Sequence, residues 1–367
     1  MEDVQTQTKS VRTLTWPFDS QKPLIIAGPC SAESEEQLLG TARQLSQIPE
    51  VSLFRAGIWK PRTRPNGFEG VGREGLGWLQ TVKQQTGLPT AVEVANAHHV
   101  YEALKYGIDV VWIGARTSVN PFSVKEIAGA LAGVDIPVLV KNPVNPDINS
   151  WIGALERITQ AGIKRLAAVH RGFSTIEKTP FRNAPKWELP VELMRLMPEI
   201  PVICDPSHIA GNRDAVAELS QIALDLAMSG LMIESHIEPD KALSDAQQQI
   251  KPETLHSIIK ALKFRKPEGN GYNGIDVLNM LRREMDEVDQ ALLEILARRF
   301  DIAAKIGLYK KSHNMTILQV HRWQETVLDR IRKGKTYGLD ETMVKNIWEI
   351  LHKQSFQIQS DLLNRTD

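Results

Sequence analysis

Cysteine is scarce in this chain, and long apolar runs are missing. The two cysteines, Cys30 and Cys204, cannot form a disulfide framework, so a reducing compartment is favoured. No apolar run approaches the roughly 20 residues that a membrane-spanning helix needs. The polar stretch 1–15 also lacks the apolar segment of a secretory signal. We therefore expect a cytoplasmic protein in which residues 1–15 are flexible.

Net charge is absent as well. The 44 basic and 44 acidic residues cancel, which argues against a nucleic-acid-binding or membrane-binding surface. Any local cluster of Arg and Lys must then have a local reason. With 42% hydrophobic and 24% charged residues over 367 positions, the composition is typical of a soluble globular protein, and the length favours two domains.

One pattern recurs between Pro23 and His236: a short apolar run, then Gly or polar residues, then an amphipathic stretch. Eight runs are expected to be strands, namely Leu24–Ala27, Val51–Phe54, Thr90–Val94, Val110–Ile113, Ile136–Val140, Arg165–Val169, Pro201–Cys204 and Leu231–Ile233. Apolar strands alternating with helices predict a parallel sheet covered on its outer face. Eight such units predict an α/β fold of the (β/α)8 TIM-barrel type. A doubly wound open sheet is the alternative, which the even count disfavours.

The pattern changes after Lys266. Residues 267–274 contain three glycines in eight and are typical of a linker. This divides the chain into a barrel domain, 1–266, and a second domain, 275–367. From 275 to 311 apolar residues recur in steps of four and three, as in a coiled-coil seam, and shorter helical patterns follow at 318–333 and 340–363. The second domain is therefore predicted to be all-helical.

Barrel enzymes carry their functional groups where the strands end. Cys30, His208 and Glu234 follow or end predicted strands, and Asp245 comes shortly after the eighth. Such a mixture of sulfur, nitrogen and oxygen donors suits one divalent transition ion such as Mn, Fe, Co or Zn. Taken singly, Cys30 is more often a buried apolar residue and His208 a structural one. Their joint placement favours a metal site.

Cations dominate the remaining strand ends. They are Arg55, Lys60, Arg62, Arg116, Lys141 and Arg171. Gathered at one barrel mouth, these groups would repel one another unless an anion neutralised them, and Arg and Lys suit phosphate and carboxylate groups. The alternative is a solvated rim on which each cation meets a nearby acid. Few acids accompany the cations on these loops, so phosphorylated, carboxylated substrates are preferred.

These strand ends resemble the type I 3-deoxy-arabino-heptulosonate 7-phosphate (DAHP) synthases. The matching motifs are Gly-Pro-Cys-Ser at 28–31, Lys-Pro-Arg-Thr at 60–63, Ile-Gly-Ala-Arg at 113–116, Asp-Pro-Ser-His at 205–208, Met-Ile-Glu at 232–234 and Leu-Ser-Asp at 243–245. The chain looks like the short-barrel branch of that family. The branch also includes 3-deoxy-octulosonate 8-phosphate synthase, which usually carries Lys-Ala-Asn-Arg at the second motif. The resemblance thus implies erythrose 4-phosphate rather than arabinose 5-phosphate as the acceptor.

The same resemblance implies a role for each strand-end residue. Cys30, His208, Glu234 and Asp245 would bind the metal; Arg55, Lys60, Arg116, Lys141 and Arg171 would hold phosphoenolpyruvate; Arg62, Thr63, Asp205 and Ser207 would hold erythrose 4-phosphate. Lys60 would also donate a proton to the alkoxide that forms. The proline-rich segment 141–147 departs from the family pattern, so the loop after the fifth strand is expected to differ in shape.

Arg299 interrupts the apolar seam of the long helix. Burying an unpaired guanidinium is costly, so either an acid from a neighbouring helix or an anionic ligand must meet it. Lys310 flanks the same seam, about 16 Å further along the helix axis. Arg282 lies about 25 Å before Arg299, too far to share one small ligand on the same helix. If Arg282 belongs to that site, it comes from a second, antiparallel chain, which predicts a homodimer.

This region resembles the all-helical chorismate mutases. The matching residues are Leu281-Arg282, Asp289, Leu292-Leu293, Leu296-Ala297-Arg298-Arg299, Ile306-Gly307 and Lys310. By that resemblance Arg282 of the other chain, Arg299 and Arg322 grip the carboxylates of chorismate, Lys310 and Gln359 face its ether oxygen, and Ser355 lies one turn before Gln359. Gln319 and Trp323 stand where the family commonly has acids. The alternative is a helical domain that serves only dimerisation or the sensing of prephenate or chorismate.

Overall fold

The computed structural model describes residues 23–60, 67–176, 178–265, 272–316 and 320–364. The side chains of 272–276 and 320–322 lie outside that description. So do residues 1–15, most of the expected linker, and Arg62, Thr63 and Gln319. Two compact units divide between Pro267 and Glu268, and each is described by itself.

Eight parallel strands close into a barrel in the first unit. They are β1 Leu24–Gly28, β2 Val51–Arg55, β3 Thr90–Val94, β4 Val110–Ile113, β5 Val138–Lys141, β6 Leu166–His170, β7 Val202–Cys204 and β8 Gly230–Glu234. Each strand pairs with the next along the chain, and β1 also pairs with β8. The predicted barrel is confirmed, and the open-sheet alternative is wrong.

Strand residues alternate between two cores. Leu24 and Ile26 of β1 point into the barrel, where they join Trp112 and eight other buried residues, whereas Ile25 and Ala27 face the surrounding helices. Successive side chains of a strand point to opposite faces. Both faces of this sheet are covered, so the strands read as nearly continuous apolar runs.

Ten helices connect or follow these strands in the described part of the first unit. They are α1 Glu35–Leu45, α2 Glu74–Thr86, α3 Ala97–Lys105, α4 Ala115–Ser118, α5 Pro121–Leu131, α6 Ile148–Gln160, α7 Glu188–Leu196, α8 Pro206–Ala210, α9 Val216–Asp225 and α10 Pro252–Ala261. Side-chain caps fix where several begin: Ser34 accepts a hydrogen bond from the Gln37 amide at the start of α1, and Asp147 accepts from two amides at the start of α6. After β8, two 3-10 turns, Pro239–Lys241 and Ala246–Gln248, precede α10.

The second unit is all-helical, as predicted. It contains α11 Tyr272–Ser312, α12 Val320–Thr336 and α13 Glu341–Asn364. Helices α11 and α12 both pack against α13. Close approach of α11 to α13 depends on Gly307, where an added Cβ would lie 3.1 Å from the Gln359 side chain. Across the part of the chain that the structure describes, no helix is long and apolar enough to cross a membrane.

Candidate active sites

The end of β1 lies against the end of β2. Gly28 adopts a positive φ of 149°, and a Cβ there would collide with the Arg55 carbonyl. The close approach of the two strand ends therefore requires glycine at this position. Beyond it the Arg55 guanidinium donates to the Cys30 carbonyl at 3.0 Å. The first loop is thereby folded inward, and the Cys30 side chain is fully buried.

The four predicted metal ligands form two close pairs at the carboxyl ends of the strands. Cys30 Sγ lies 3.3 Å from Asp245 Oδ2, and His208 Nε2 lies 3.7 Å from Glu234 Oε1. Donors in a tetrahedral site with bonds of 2.0–2.3 Å lie about 3.4 Å apart. Electrostatic interactions also link Cys30 to Glu234 and Asp245 to His208. The donor types and both pair distances therefore fit a divalent ion.

Three protein side chains hold the two carboxylates of these pairs. Glu234 receives hydrogen bonds from Arg55 at 2.9 Å and from Gln248 at 2.7 Å, and Asp245 receives one from Arg182 at 2.8 Å. Among the described residues, no group of three or more His, Cys, Asp and Glu side chains has the arrangement of a formed metal centre. The four-ligand assignment stays a prediction.

Burial keeps the Cys30 thiol neutral. Desolvation, followed by the negative charge of Glu234, raises the pKa of Cys30 to about 12. Lys60 opposes this shift, because its ammonium donates to Cys30 Sγ at 3.1 Å. Gly57 leaves the room for that contact: a Cβ there would lie 2.6 Å from Lys60 Nζ. The predicted proton donor and the predicted sulfur ligand are thus neighbours.

Two of the predicted substrate-binding cations are paired with acids. Arg55 forms a buried ion pair with Glu234 at 2.9 Å and lies over the Trp112 ring. Lys141 forms one with Asp205 at 2.8 Å. The expectation that few acids accompany the cations is wrong for these two. That expectation considered only acids on the same loop as each cation. Glu234 and Asp205 instead come from other strand ends, which closure of the barrel brings next to Arg55 and Lys141.

Three guanidinium groups gather elsewhere at this mouth. Burial lowers the pKa of Arg171 to about 10, and the positive charges of Arg182 and Arg116 act in the same direction against Asp205. Arg171 Nη1 donates to Asn183 Oδ1 at 2.8 Å. The lowered pKa means that the positive charge of Arg171 is less favourable at this buried position than in water. An anion would relieve that cost.

Asp205 and Ser207 have protein partners as well. Asp205 is fully buried and caps α8, and its Oδ2 lies 2.8 Å from His208 Nδ1. Although burial opposes it, the neighbouring His208 and Lys141 hold the pKa of Asp205 well below its usual range. Burial in turn lowers the pKa of His208, which favours the neutral imidazole that binds metals. Ser207 Oγ accepts a hydrogen bond from the Glu234 amide at 2.9 Å. The substrate roles of Asp205 and Ser207 stay predictions.

Sequence reasoning missed three residues of this mouth. Arg182 bonds both Asp245 and Gln248 at 2.8 Å, and Gln249 accepts from the Cys30 amide at 2.8 Å. None of the three follows a strand directly, and Gln is not a residue type that signals chemistry. Only the closed fold brings them to the site.

In the helical unit, Arg299 is hydrogen-bonded, and no carboxylate among the described residues contributes to its pKa. Its Nη1 donates to Ser355 Oγ at 2.8 Å and to the Leu351 carbonyl at 3.2 Å. Burial, together with the positive charge of Arg330, lowers the pKa of Arg299, and no described carboxylate counters that shift. The alternative of an ion pair within the helices is therefore not observed in the described residues, and an anionic ligand is favoured.

Other residues that the sequence singled out lie in the same helical unit. Gln359 is buried, and its Oε1 has no hydrogen-bond partner within the described part of the chain. Trp323 stacks on His352 with ring centroids 3.7 Å apart. Burial lowers the pKa of His352, with smaller effects from Arg299 and Lys310 in the same direction. Two cations, Arg299 and Lys310, and the Trp323–His352 stack thus lie near one another. Arg282 is exposed on α11, and the Arg322 side chain lies outside the described residues.

Comparison with known families agrees with both halves of the chain. The DAHP synthetase I family matches residues 18–266, and chorismate mutase type II matches residues 281–360. The chain is 34% identical over 239 residues to a phospho-2-dehydro-3-deoxyheptonate aldolase of Thermotoga maritima, covering 65% of this chain and 68% of that protein. It is 28% identical over 265 residues to a 2-dehydro-3-deoxyphosphooctonate aldolase of Syntrophotalea carbinolica, covering 67% and 91%.

Solved structures give the same result. The crystal structure of the Thermotoga maritima DAHP synthase matches with a TM-score of 0.61 at 31% identity, over 68% of this chain and 72% of that chain. A truncated form of the synthase from the same organism matches with a TM-score of 0.58 at 28% identity, over 68% and 90%. With the family match spanning residues 18–266 of 367, the chain belongs to the DAHP synthetase I family, and a chorismate mutase type II domain follows its barrel.

Proposed function

We propose that the chain is a bifunctional cytoplasmic enzyme of the shikimate pathway. The barrel condenses phosphoenolpyruvate with erythrose 4-phosphate to DAHP and phosphate, and the helical domain rearranges chorismate to prephenate. The observation that carries the first assignment is the buried mouth where four metal-type ligands adjoin several cations. Neutral overall charge fits small anionic substrates rather than a nucleic acid.

Cys30, His208, Glu234 and Asp245 would hold one divalent ion, Mn, Fe, Co or Zn. When bound, such an ion polarises the aldehyde oxygen as a Lewis acid. Loss of the Cys30 proton accompanies binding, because thiolate is the ligand form.

The cations would bind and orient phosphoenolpyruvate in the barrel. Arg116 and Arg171 suit its phosphate and carboxylate, with Arg55, Lys60 and Lys141 completing the set. Arg62, Thr63, Asp205 and Ser207 would hold erythrose 4-phosphate. Carbon three of phosphoenolpyruvate then attacks the aldehyde carbon, water adds at carbon two, and phosphate leaves. The Lys60 ammonium, beside Cys30 at 3.1 Å, is placed to protonate the developing alkoxide.

The helical domain would select one conformer of chorismate rather than supply a nucleophile, because the rearrangement is pericyclic. Arg299 and Arg322 would hold the carboxylates, with Lys310 and the carboxamide of Gln359 facing the ether oxygen. Ser355 positions Arg299 through their 2.8 Å bond. Arg282 would come from a second chain, since Arg282 and Arg299 are too far apart along one helix.

A row of exposed apolar side chains on α11 supports that homodimer. Leu281, Met285, Val288, Leu292 and Ile295 are each more than half exposed, although they follow the spacing of a coiled-coil seam. Such a surface is unfavourable in water unless another apolar surface covers it. A second copy of the helical domain would cover it and deliver Arg282 at the same time.

A second acceptor is worth testing because the chain is 28% identical to a 2-dehydro-3-deoxyphosphooctonate aldolase. Phosphate release should be measured with phosphoenolpyruvate and either erythrose 4-phosphate or arabinose 5-phosphate, with and without prephenate. We expect kcat/KM to favour erythrose 4-phosphate by at least about 100-fold. Preference for arabinose 5-phosphate would replace the barrel assignment. Absence of chorismate turnover by the full chain would reduce the helical domain to dimerisation or ligand sensing.

A further inference from the structure

Asp245 differs from the other predicted metal ligands in its backbone support. Cys30, His208 and Glu234 lie at or just beyond strand ends, but Asp245 lies on an irregular segment after β8, in the left-handed region with a φ of 48°. Non-glycine residues persist in that region only where their surroundings hold them. Something must therefore fix this segment against the barrel.

Gln249 ties the segment to the end of β1. It is fully buried. Its Oε1 accepts a hydrogen bond from the Cys30 amide at 2.8 Å, and its Nε2 donates to the Ser244 carbonyl at 2.8 Å. One carboxamide thereby joins the backbone at Cys30 to the residue just before Asp245. Because one bond uses the oxygen and the other the nitrogen, the amide orientation is fixed.

Gln248 ties the same segment to the end of β8. It is 1% exposed, and its Nε2 donates to Glu234 Oε2 at 2.7 Å. Its Oε1 accepts from Arg182 Nη1 at 2.8 Å, and the same nitrogen donates to Asp245 Oδ1 at 2.8 Å. A continuous chain of hydrogen bonds thus runs from one predicted ligand, Glu234, to another, Asp245.

We propose that Gln248 and Gln249 are positioning residues of the metal centre, which hold Cys30, Glu234 and Asp245 within reach of one ion. This rests on the proposed metal-dependent function. Both side chains are neutral, so they orient the carboxylates and the cysteine without changing the charge of the ligand set. Groups that orient ligands in this way contribute to metal affinity although they never touch the ion.

The test is Co²⁺ binding by the full-length protein with Gln248→Met or Gln249→Met. Methionine has a similar volume but cannot form the hydrogen bonds. Each change should weaken Co²⁺ binding by about 10- to 100-fold. Gln221→Met is the matched control, because Gln221 also bridges two segments through Lys263, away from the mouth, and its Co²⁺ affinity should stay within about twofold of wild type.

Absorption spectra separate positioning from a general loss of stability. Wild type should show a thiolate-to-cobalt charge-transfer band that Cys30→Ser lacks. Gln249→Met should weaken that band at saturating Co²⁺, whereas Gln248→Met should keep the band and lose affinity. If a Met variant fails to fold, Gln248→Asn and Gln249→Asn take its place, since asparagine is one methylene too short for the same bonds.

The two hypotheses fail differently. A wild-type protein that binds no Co²⁺ through Cys30 would contradict the metal-dependent function itself. A wild-type protein that binds Co²⁺ through Cys30, beside folded Gln variants that bind it within twofold of wild type and with the same spectrum, would overturn the positioning role alone.

Discussion

The barrel and the helical unit differ in the groups that lie beside their fully or partly buried cations. In the barrel, Arg55 pairs with Glu234 and Lys141 with Asp205, all four nearly inaccessible to water. In the helical unit, Arg299 is held by a hydroxyl and a carbonyl, with no described carboxylate beside it. The barrel mouth neutralises two of its cations with its own acids, whereas Arg299 is met only by neutral groups among the described residues.

The two units also differ in their apolar surfaces. The barrel covers both faces of its sheet, but α11 leaves apolar residues such as Met285 and Leu292 exposed. Arg299 and the exposed apolar row on the same helix are the two features that support the proposed anionic ligand and the proposed second chain. Whether one chain covers its own apolar surfaces therefore has to be asked of each unit separately.

Arg299→Ala should break the helical site alone. Without this guanidinium, chorismate turnover should fall by about 10²- to 10³-fold, the usual effect of removing one preorganised charge-stabilising donor. DAHP formation should stay near the wild-type rate. Arg298→Ala, at the neighbouring exposed position, is the control and should leave both activities intact. Equal loss of both activities in Arg299→Ala would show that the units are not functionally separate.

Mixing two inactive variants tests whether Arg282 of a second chain contributes to the site of Arg299. Arg282→Ala and Arg299→Ala should each lack mutase activity. In a mixed dimer, one of the two sites contains neither substitution, so re-equilibrated mixtures should recover about a quarter of wild-type turnover. Each variant incubated alone is the control. No recovery, despite mixed dimers detected by mass, would place Arg282 outside the site.

Asp205→Asn tests the buried charge balance of the barrel, with the smallest expected effect. The folded pKa of Asp205 is depressed, so its stabilising contribution is complete above its unfolded value near 3.8 and is lost as pH falls through the lower folded value. At pH 7 the substitution should lower the free energy of unfolding by about 1–3 kcal/mol.

Urea unfolding followed by tryptophan fluorescence at several pH values measures this effect. The gap between wild type and Asp205→Asn should narrow below about pH 4, because only wild type loses the carboxylate contribution there. Asp240→Asn, which removes an exposed carboxylate paired with Arg213, should change stability by no more than about 0.5 kcal/mol. A gap that stays constant down to pH 2 would contradict the assigned charge state.

Strand positions were predictable to within about two residues, since apolar periodicity reports burial directly. Two of the four misplaced strand starts have a local cause. The fifth strand was expected from Ile136 and the seventh from Pro201, but β5 starts at Val138 and β7 at Val202. Pro137 and Pro201 lack the amide hydrogen that pairing requires.

The contacts across the mouth were not predictable from the sequence. Sequence order gives the residue at each strand end, but barrel closure decides that Arg55 meets Glu234, some 180 residues later, or that Gln249 meets Cys30. The helical pocket was easier in one respect, because a cation within an apolar seam is visible in the sequence. That no carboxylate of the described residues acts on Arg299 became visible only in three dimensions.

The central claim is that Cys30, His208, Glu234 and Asp245 bind one ion. Anomalous diffraction at the cobalt edge, from crystals of the Co²⁺-loaded protein, tests it most directly. If all four residues bind one ion, the map should contain a single strong peak at the barrel mouth, about 2.0–2.4 Å from a donor atom of each residue. A fully occupied ion bonded to two or fewer of them, or lying elsewhere on the protein, would contradict the account.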